Sequence, residues 1–153
     1  MYTGKSDDYL ATQIENDGFY PSFTLGDFQR DYKMPSEFAQ ETVTQHLILA
    51  MVEVNNSLSA QKAEWQGQGS ATLEAVVSPT INNERVNVFY YRRAVFAKAK
   101  YLLFGQLISY SQRDTAEHYG KQSEEVRDEF LAESNSAIKA LQGRRGRIYV
   151  AAL

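Results

Sequence analysis

Cysteine is absent from these 153 residues. Disulfides and thiolate metal sites are therefore excluded, and a reducing cytosol is the natural compartment. Histidine is scarce, with only His46 and His118, so a zinc site would have to be built largely from carboxylates. Long apolar runs are missing too. The longest, Leu47 to Val52, falls well short of the ~18–20 residues that span a bilayer, so no membrane partner is expected. The opening residues Met-Tyr-Thr-Gly-Lys-Ser-Asp-Asp are polar and acidic and do not read as a secretory signal. Positive charge is not in excess: a net charge of −3 argues against nucleic-acid binding by bulk electrostatics.

Catalytic constellations are lacking as well. Gly67-Gln-Gly69 has neither the following lysine nor the preceding strand of a phosphate loop. No Gly-x-Ser-x-Gly elbow occurs. Asp114 and His118 lie four apart and resemble a carboxylate–imidazole pair, but solvated helical turns produce that spacing without any chemistry. The expectation is no enzyme, no metal and no cofactor.

What is present is a single domain's length, enough to bury roughly two thirds of the unfolded surface. Aromatic residues make up 12%, with ten Tyr and eight Phe, and tyrosine is common both at core edges and at protein contacts. Near the N-terminus, Ile14-Glu-Asn-Asp-Gly-Phe-Tyr-Pro-Ser22 packs Asn, Asp, Gly and Pro into a few positions, which forces a turn. Phe19, Tyr20 and Phe23, in and just after that turn, need to be covered by something, and an adjacent protomer is the expected cover.

Periodicity predicts an all-α fold: one helical bundle with two long central helices and extended N- and C-terminal arms. Residues 1–13 read as a flexible tail, 14–143 as the helical domain and 144–153 as a docking arm. Thr24 can cap a short helix with Asp27 at its third position. Val43, Leu47, Ala50, Met51, Val54 and Leu58 fall on one face of a helix predicted to continue to about Trp65. Asn82-Asn83 is a turn signal, and Asn83 is a candidate cap for the next helix. That helix, from about Val86 to Ser109, carries two apolar stripes. One is Val88, Tyr91, Val95, Ala99 and Leu102. The other is Phe89, Phe96, Leu103 and Leu107. Arg92, Arg93, Lys98 and Lys100 fill the remaining polar face. A fourth helix is predicted from about Ser123, with Val126, Phe130, Ala137, Ile138 and Leu141 buried and Gly143 as its C-cap.

Charge is segregated near the end of the chain. Seven acids lie between Asp114 and Glu133, whereas Lys139, Arg144, Arg145 and Arg147 follow with no acid among them. The basic joint Arg144-Arg-Gly-Arg147 leads into a β-prone segment, Ile148-Tyr-Val150, which has no predicted partner strand in the chain. Arg144, Arg145, Arg147, Ile148, Tyr149, Val150 and Leu153 are therefore candidate partner-docking residues, by strand addition or by insertion into a groove. Phe19, Tyr20, Phe23, Arg92 and Arg93 are candidate inter-subunit contacts.

Three segments in order carry a family resemblance. They are Ile14 to Ser22 with the following Phe28-Gln-Arg30, then Val52-Glu-Val-Asn-Asn-Ser-Leu58, then Tyr90-Tyr-Arg-Arg-Ala-Val95 continuing to Ala97-Lys-Ala-Lys100. Together they resemble the head completion (head stabilisation) proteins of temperate contractile-tailed phages, the gpL family, over roughly residues 12 to 142. The resemblance implies a structural protein that acts after genome packaging. It would bind the portal protein as a homo-oligomeric ring, a dodecamer on the portal, and present a surface to a tail-completion or neck protein. Packaged DNA would be a further contact in the lumen. Such a protein would assemble in the host bacterial cytoplasm and reside in the virion at the head–tail junction. A competing reading is a small prophage-encoded DNA-binding regulator that uses Arg92, Arg93, Lys98 and Lys100 along one helix face.

Overall fold

Asn16 and Asp17 set the first turn. The Asp17 carboxylate accepts from the amides of Phe19 and Tyr20, at 2.9 and 3.1 Å, and Gly18 between them has φ +93°, a backbone region that side chains avoid. The chain thereby doubles back, and strand β1 (Gln13–Ile14) pairs antiparallel with β2 (Phe23–Thr24). A computed structural model describes residues 11–32, 39–111 and 117–143, with side chains described for all of these except 107–111 and 117–123.

Thr24 then starts helix α1 (Leu25–Asp31) with a reciprocal capping box. Its hydroxyl accepts from the Asp27 amide at 3.0 Å, and the Asp27 carboxylate accepts from the Thr24 amide at 2.9 Å, which satisfies two helix-end donors locally. Helix α2 (Gln40–Ser57) follows, and every member of its predicted stripe from Val43 to Leu58 is buried. The helix does not continue to Trp65. It is interrupted at Leu58, and a second helix, α3 (Ser59–Gly67), follows. Asn55-Asn56-Ser57 is a run of weak helix formers, and the Ser57 carbonyl accepts from the Gln142 side chain at 3.1 Å.

A 3₁₀ turn (Leu73–Ala75) and a hairpin of β3 (Thr80–Ile81) and β4 (Glu84–Arg85) come next. Asn82 and Asn83 have φ of 52° and 62°, the two left-handed positions of a two-residue hairpin loop with the twist that flanking strands favour. Asn83 is thus a hairpin residue and not the cap of the next helix.

Helix α4 (Val86–Ser111) lies between α2 and α5 (Glu117–Leu141) and packs along both. Close approach of α4 and α5 rests on small residues. Ala94, Ala97, Ser134 and Ala137 are buried, and the Ser134 hydroxyl donates to the Ala94 carbonyl at 2.8 Å. The start of α5 lies before the predicted Ser123, and Gly143 takes φ +68° at its end. Two predicted core residues are not core. Val126 is 38% exposed and Phe89 42% exposed.

The body as a whole is mostly helical. The predicted arm at 144–153, most of the predicted tail and Asp114 of the Asp114–His118 pair lie outside the described residues, and His118 lies where side chains are not described.

Candidate interaction surface

The aromatic residues of the N-terminal turn are covered by the chain's own helices. Phe19, Tyr20 and Phe23 are 4%, 3% and 5% exposed, which corrects the expectation that an adjacent protomer covers them. Their rings join a continuous series of contacts that crosses the molecule. Trp65 stacks on Phe19, Phe19 meets Tyr20 edge-on, and Tyr20 lies parallel to Tyr91 at 4.4 Å. Phe23 bridges Tyr91 and Phe96, and Phe96 leads through Tyr32 to Phe130 and Phe104. Such pairs add to the burial of large apolar area, and they use nine of the chain's nineteen aromatic residues.

Beneath the rings sits a closed polar network. Asn16 Nδ2 donates to the Tyr91 hydroxyl at 2.8 Å, that hydroxyl donates to Asn55 Oδ1 at 2.6 Å, and Asn55 Nδ2 donates to Asn16 Oδ1 at 3.0 Å. Each side chain both gives and receives, so the buried phenol of Tyr91 is satisfied on both sides. Burial pushes that phenol well above its ordinary range, and it stays protonated. No local pattern announces this network, because its members come from three separated segments.

The cations of α4 do not form a basic face. Arg92 holds both carboxylate oxygens of Glu84, and its Nε lies 3.1 Å from Asp31. The paired Glu84 raises the Arg92 guanidinium further above its ordinary value. Arg93 pairs with Glu133 at 3.0 Å, and the same Glu133 oxygen accepts from the Tyr32 hydroxyl at 2.6 Å. Burial, then the Glu133 carboxylate, pushes the Tyr32 phenol upward. Lys98 pairs with Glu53 at 3.3 Å. Lys100 is buried between the rings of Phe104 and Phe130, and that burial lowers its ammonium. The helix face on which the regulator reading relied is therefore neutralised within the chain.

Arg92 and Arg93 nevertheless line adjoining hollows in the described surface. Three adjoining hollows of about 490, 320 and 550 Å³ share Phe89 as a wall. The first lies against the hairpin, with Ile81 and Glu84. The second holds Asp31 and Glu133. The third runs along the seam of α4 and α5, from Tyr90 and Arg93 to Glu129, Ala132 and Ser136. Phe89 and Ile81, 42% and 69% exposed, give this surface apolar anchors with ion pairs between them. That is the composition of a protein-contact surface, apolar centres with a polar surround. Sequence periodicity missed it by placing Phe89 in the core.

Among the described residues no group of three or more His, Cys, Asp or Glu side chains could hold a metal ion, and no helix is long and apolar enough to cross a membrane. The candidate docking residues Arg144, Arg145, Arg147, Ile148, Tyr149, Val150 and Leu153 lie outside the described part.

No solved structure matches the chain. One similar protein is the "Probable head completion/stabilization protein" of Haemophilus phage HP1 (strain HP1c1). It is 28% identical over 151 residues, which covers 98% of this chain and 99% of that one. The family described as phage head completion protein (GPL) matches residues 14–152. That span takes in all three polar partners Asn16, Asn55 and Tyr91, and the chain belongs to the phage head completion protein (GPL) family.

Proposed function

We propose that this chain is a structural virion protein that completes the phage head. It binds the portal vertex after DNA packaging and forms an adaptor ring to which the tail connects. The observation that carries the reading is the end-to-end similarity to a protein described as a probable head completion/stabilization protein, with family membership across residues 14–152. The body, residues 14–143, closes its own core through the aromatic series and the Asn16–Tyr91–Asn55 network. That leaves the surface around Phe89 and residues 144–153 for partners. Those partners are the portal protein, neighbouring copies in the ring, and a tail-completion or neck protein, at the head–tail junction of a particle assembled in the host cytoplasm. No substrate or cofactor enters this role.

Deleting residues 144–153 tests it. The expected product is a folded protein with native helical content that no longer rescues tail joining when supplied to a phage lacking the gene. A truncated protein that still yields tailed, DNA-filled particles overturns the docking role of the arm.

A further inference from the structure

We propose that the exposed stripe of α2 seats in the hairpin hollow of a second copy of this chain, so that copies join head to tail. This contact rests on the ring proposed for the chain and supplies the two faces that neighbours in it share.

Helix α2 carries the first face. Glu41, Gln45, Ile48, Leu49, Val52 and Asn56 are all exposed and fall within about 100° of arc at 3.6 residues per turn. Ile48, Leu49 and Val52 form an apolar ridge with polar residues at both ends. The other side of the helix, with Val43, Leu47, Val54 and Leu58 next to it in sequence, is buried. Among the described residues α2 packs chiefly on α4, and the ridge points away from that contact.

The second face is the hollow of about 490 Å³ between the hairpin and the start of α4, with Ile81, Val86 and Phe89 in its wall. It lies on the far side of the body. Tyr91 and Lys98 turn toward α2, to Asn55 and Glu53, and Phe89 sits about 160–180° around α4 from them. One chain thus carries an apolar helix ridge and an apolar hollow, the two halves of a helix-in-groove contact. Placed on opposite sides, they cannot meet within one copy. They join one copy to the next, and head-to-tail contacts close into a ring when the rotation per copy allows.

Charge agrees with this pairing. Helix α2 contains Glu41 and Glu53 and no lysine or arginine. Lys98 holds Glu53, and no cation pairs with Glu41 among the described residues. In the hollow, Glu84 and Arg92 neutralise each other. The adjoining Arg85 donates to the Ser78 carbonyl at 2.9 Å and pairs with no carboxylate among the described residues. An acidic ridge and a basic hollow edge complement one another. So small an apolar face makes a weak single contact, and copies held side by side on a portal gain it through effective concentration.

The chain has no cysteine, so introduced thiols report alone. Gln45→Cys on the ridge and Thr80→Cys on the hairpin are both at exposed positions. The two variants are mixed and treated with a flexible bismaleimide, in concentrated free solution and on DNA-filled, tail-less heads. The expected product is a dimer joined through positions 45 and 80, with a ladder of higher multimers from the double variant. Leu49→Ser and, separately, Phe89→Ser each cut the yield severalfold while circular dichroism shows unchanged helical content. Products joined only 45 to 45 or 80 to 80 overturn the proposal, as does a yield that neither serine variant moves. Absence of the 45–80 product from both samples overturns it too, and binding to heads in that case keeps the head role. A 45–80 product from a protein that does not bind heads upholds the contact and overturns the head role.

Discussion

The Tyr91 hydroxyl donates to Asn55 Oδ1 at 2.6 Å, locking α4 to α2. Asn16 closes the triangle and brings in the N-terminal turn. One of these residues lies in each of the three segments Ile14–Ser22, Val52–Leu58 and Tyr90–Val95, so the network draws those segments into one physical junction. Tyr91→Phe keeps the ring and its stacking on Tyr20 but leaves Asn16 Nδ2 and Asn55 Oδ1 short of a partner. The expected cost is about 1–3 kcal/mol, read from urea unfolding. Combining it with Asn55→Ala should be non-additive, with a coupling of about 0.5–3 kcal/mol. Strict additivity would show that the three side chains do not act together.

Acid should loosen the N-terminal segment first. Burial pushes the Asp17 and Asp27 carboxyls upward. The Lys62 ammonium and the Tyr20 and Phe19 amides outweigh it at Asp17, and Thr24 and Arg30 outweigh it at Asp27. Both groups thus lie below their ordinary value of 3.8. The stability they contribute is complete above the unfolded-state value and is lost as pH falls through the lower folded-state value. Asp17→Asn and Asp27→Asn should each lower stability at neutral pH and flatten the fall below about pH 4. Unchanged acid limbs in both variants would contradict the assignment.

The α4–α5 contact depends on small side chains. Ser134 is fully buried against Ala94, so Ser134→Leu forces the helices apart at an expected cost of about 1–3 kcal/mol. The thermal midpoint measures it. A variant as stable as the parent would mean that the seam yields easily.

Arg92 joins α1, α4 and the hairpin through Asp31 and Glu84. Arg92→Lys retains the charge but cannot reproduce the two-pronged contact. It should lower stability, with no salt-dependent binding of duplex DNA by either the parent or the variant. A drop in DNA affinity without loss of stability would restore the regulator reading.

Local features were legible in the sequence. The capping box at Thr24 and Asp27, the α2 stripe and the left-handed Gly143 each depend on residues within a few positions of one another. The network of Asn16, Asn55 and Tyr91 was not, because polar side chains far apart in sequence leave no periodic trace. Phe89 and Val126 misled because helical spacing gives a face its neighbours but not its partner, and no element covers those two faces among the described residues. Asn83 misled in another way: the residues that cap helices also adopt the left-handed backbone of hairpin loops.

The head-completion role is tested most directly by electron microscopy of the purified protein mixed with the portal ring of the same phage and, in parallel, with DNA-filled, tail-less heads. A symmetric collar on the portal in either sample, lost on deletion of residues 144–153, is the predicted result. A folded protein that adds no density to either particle would contradict the account.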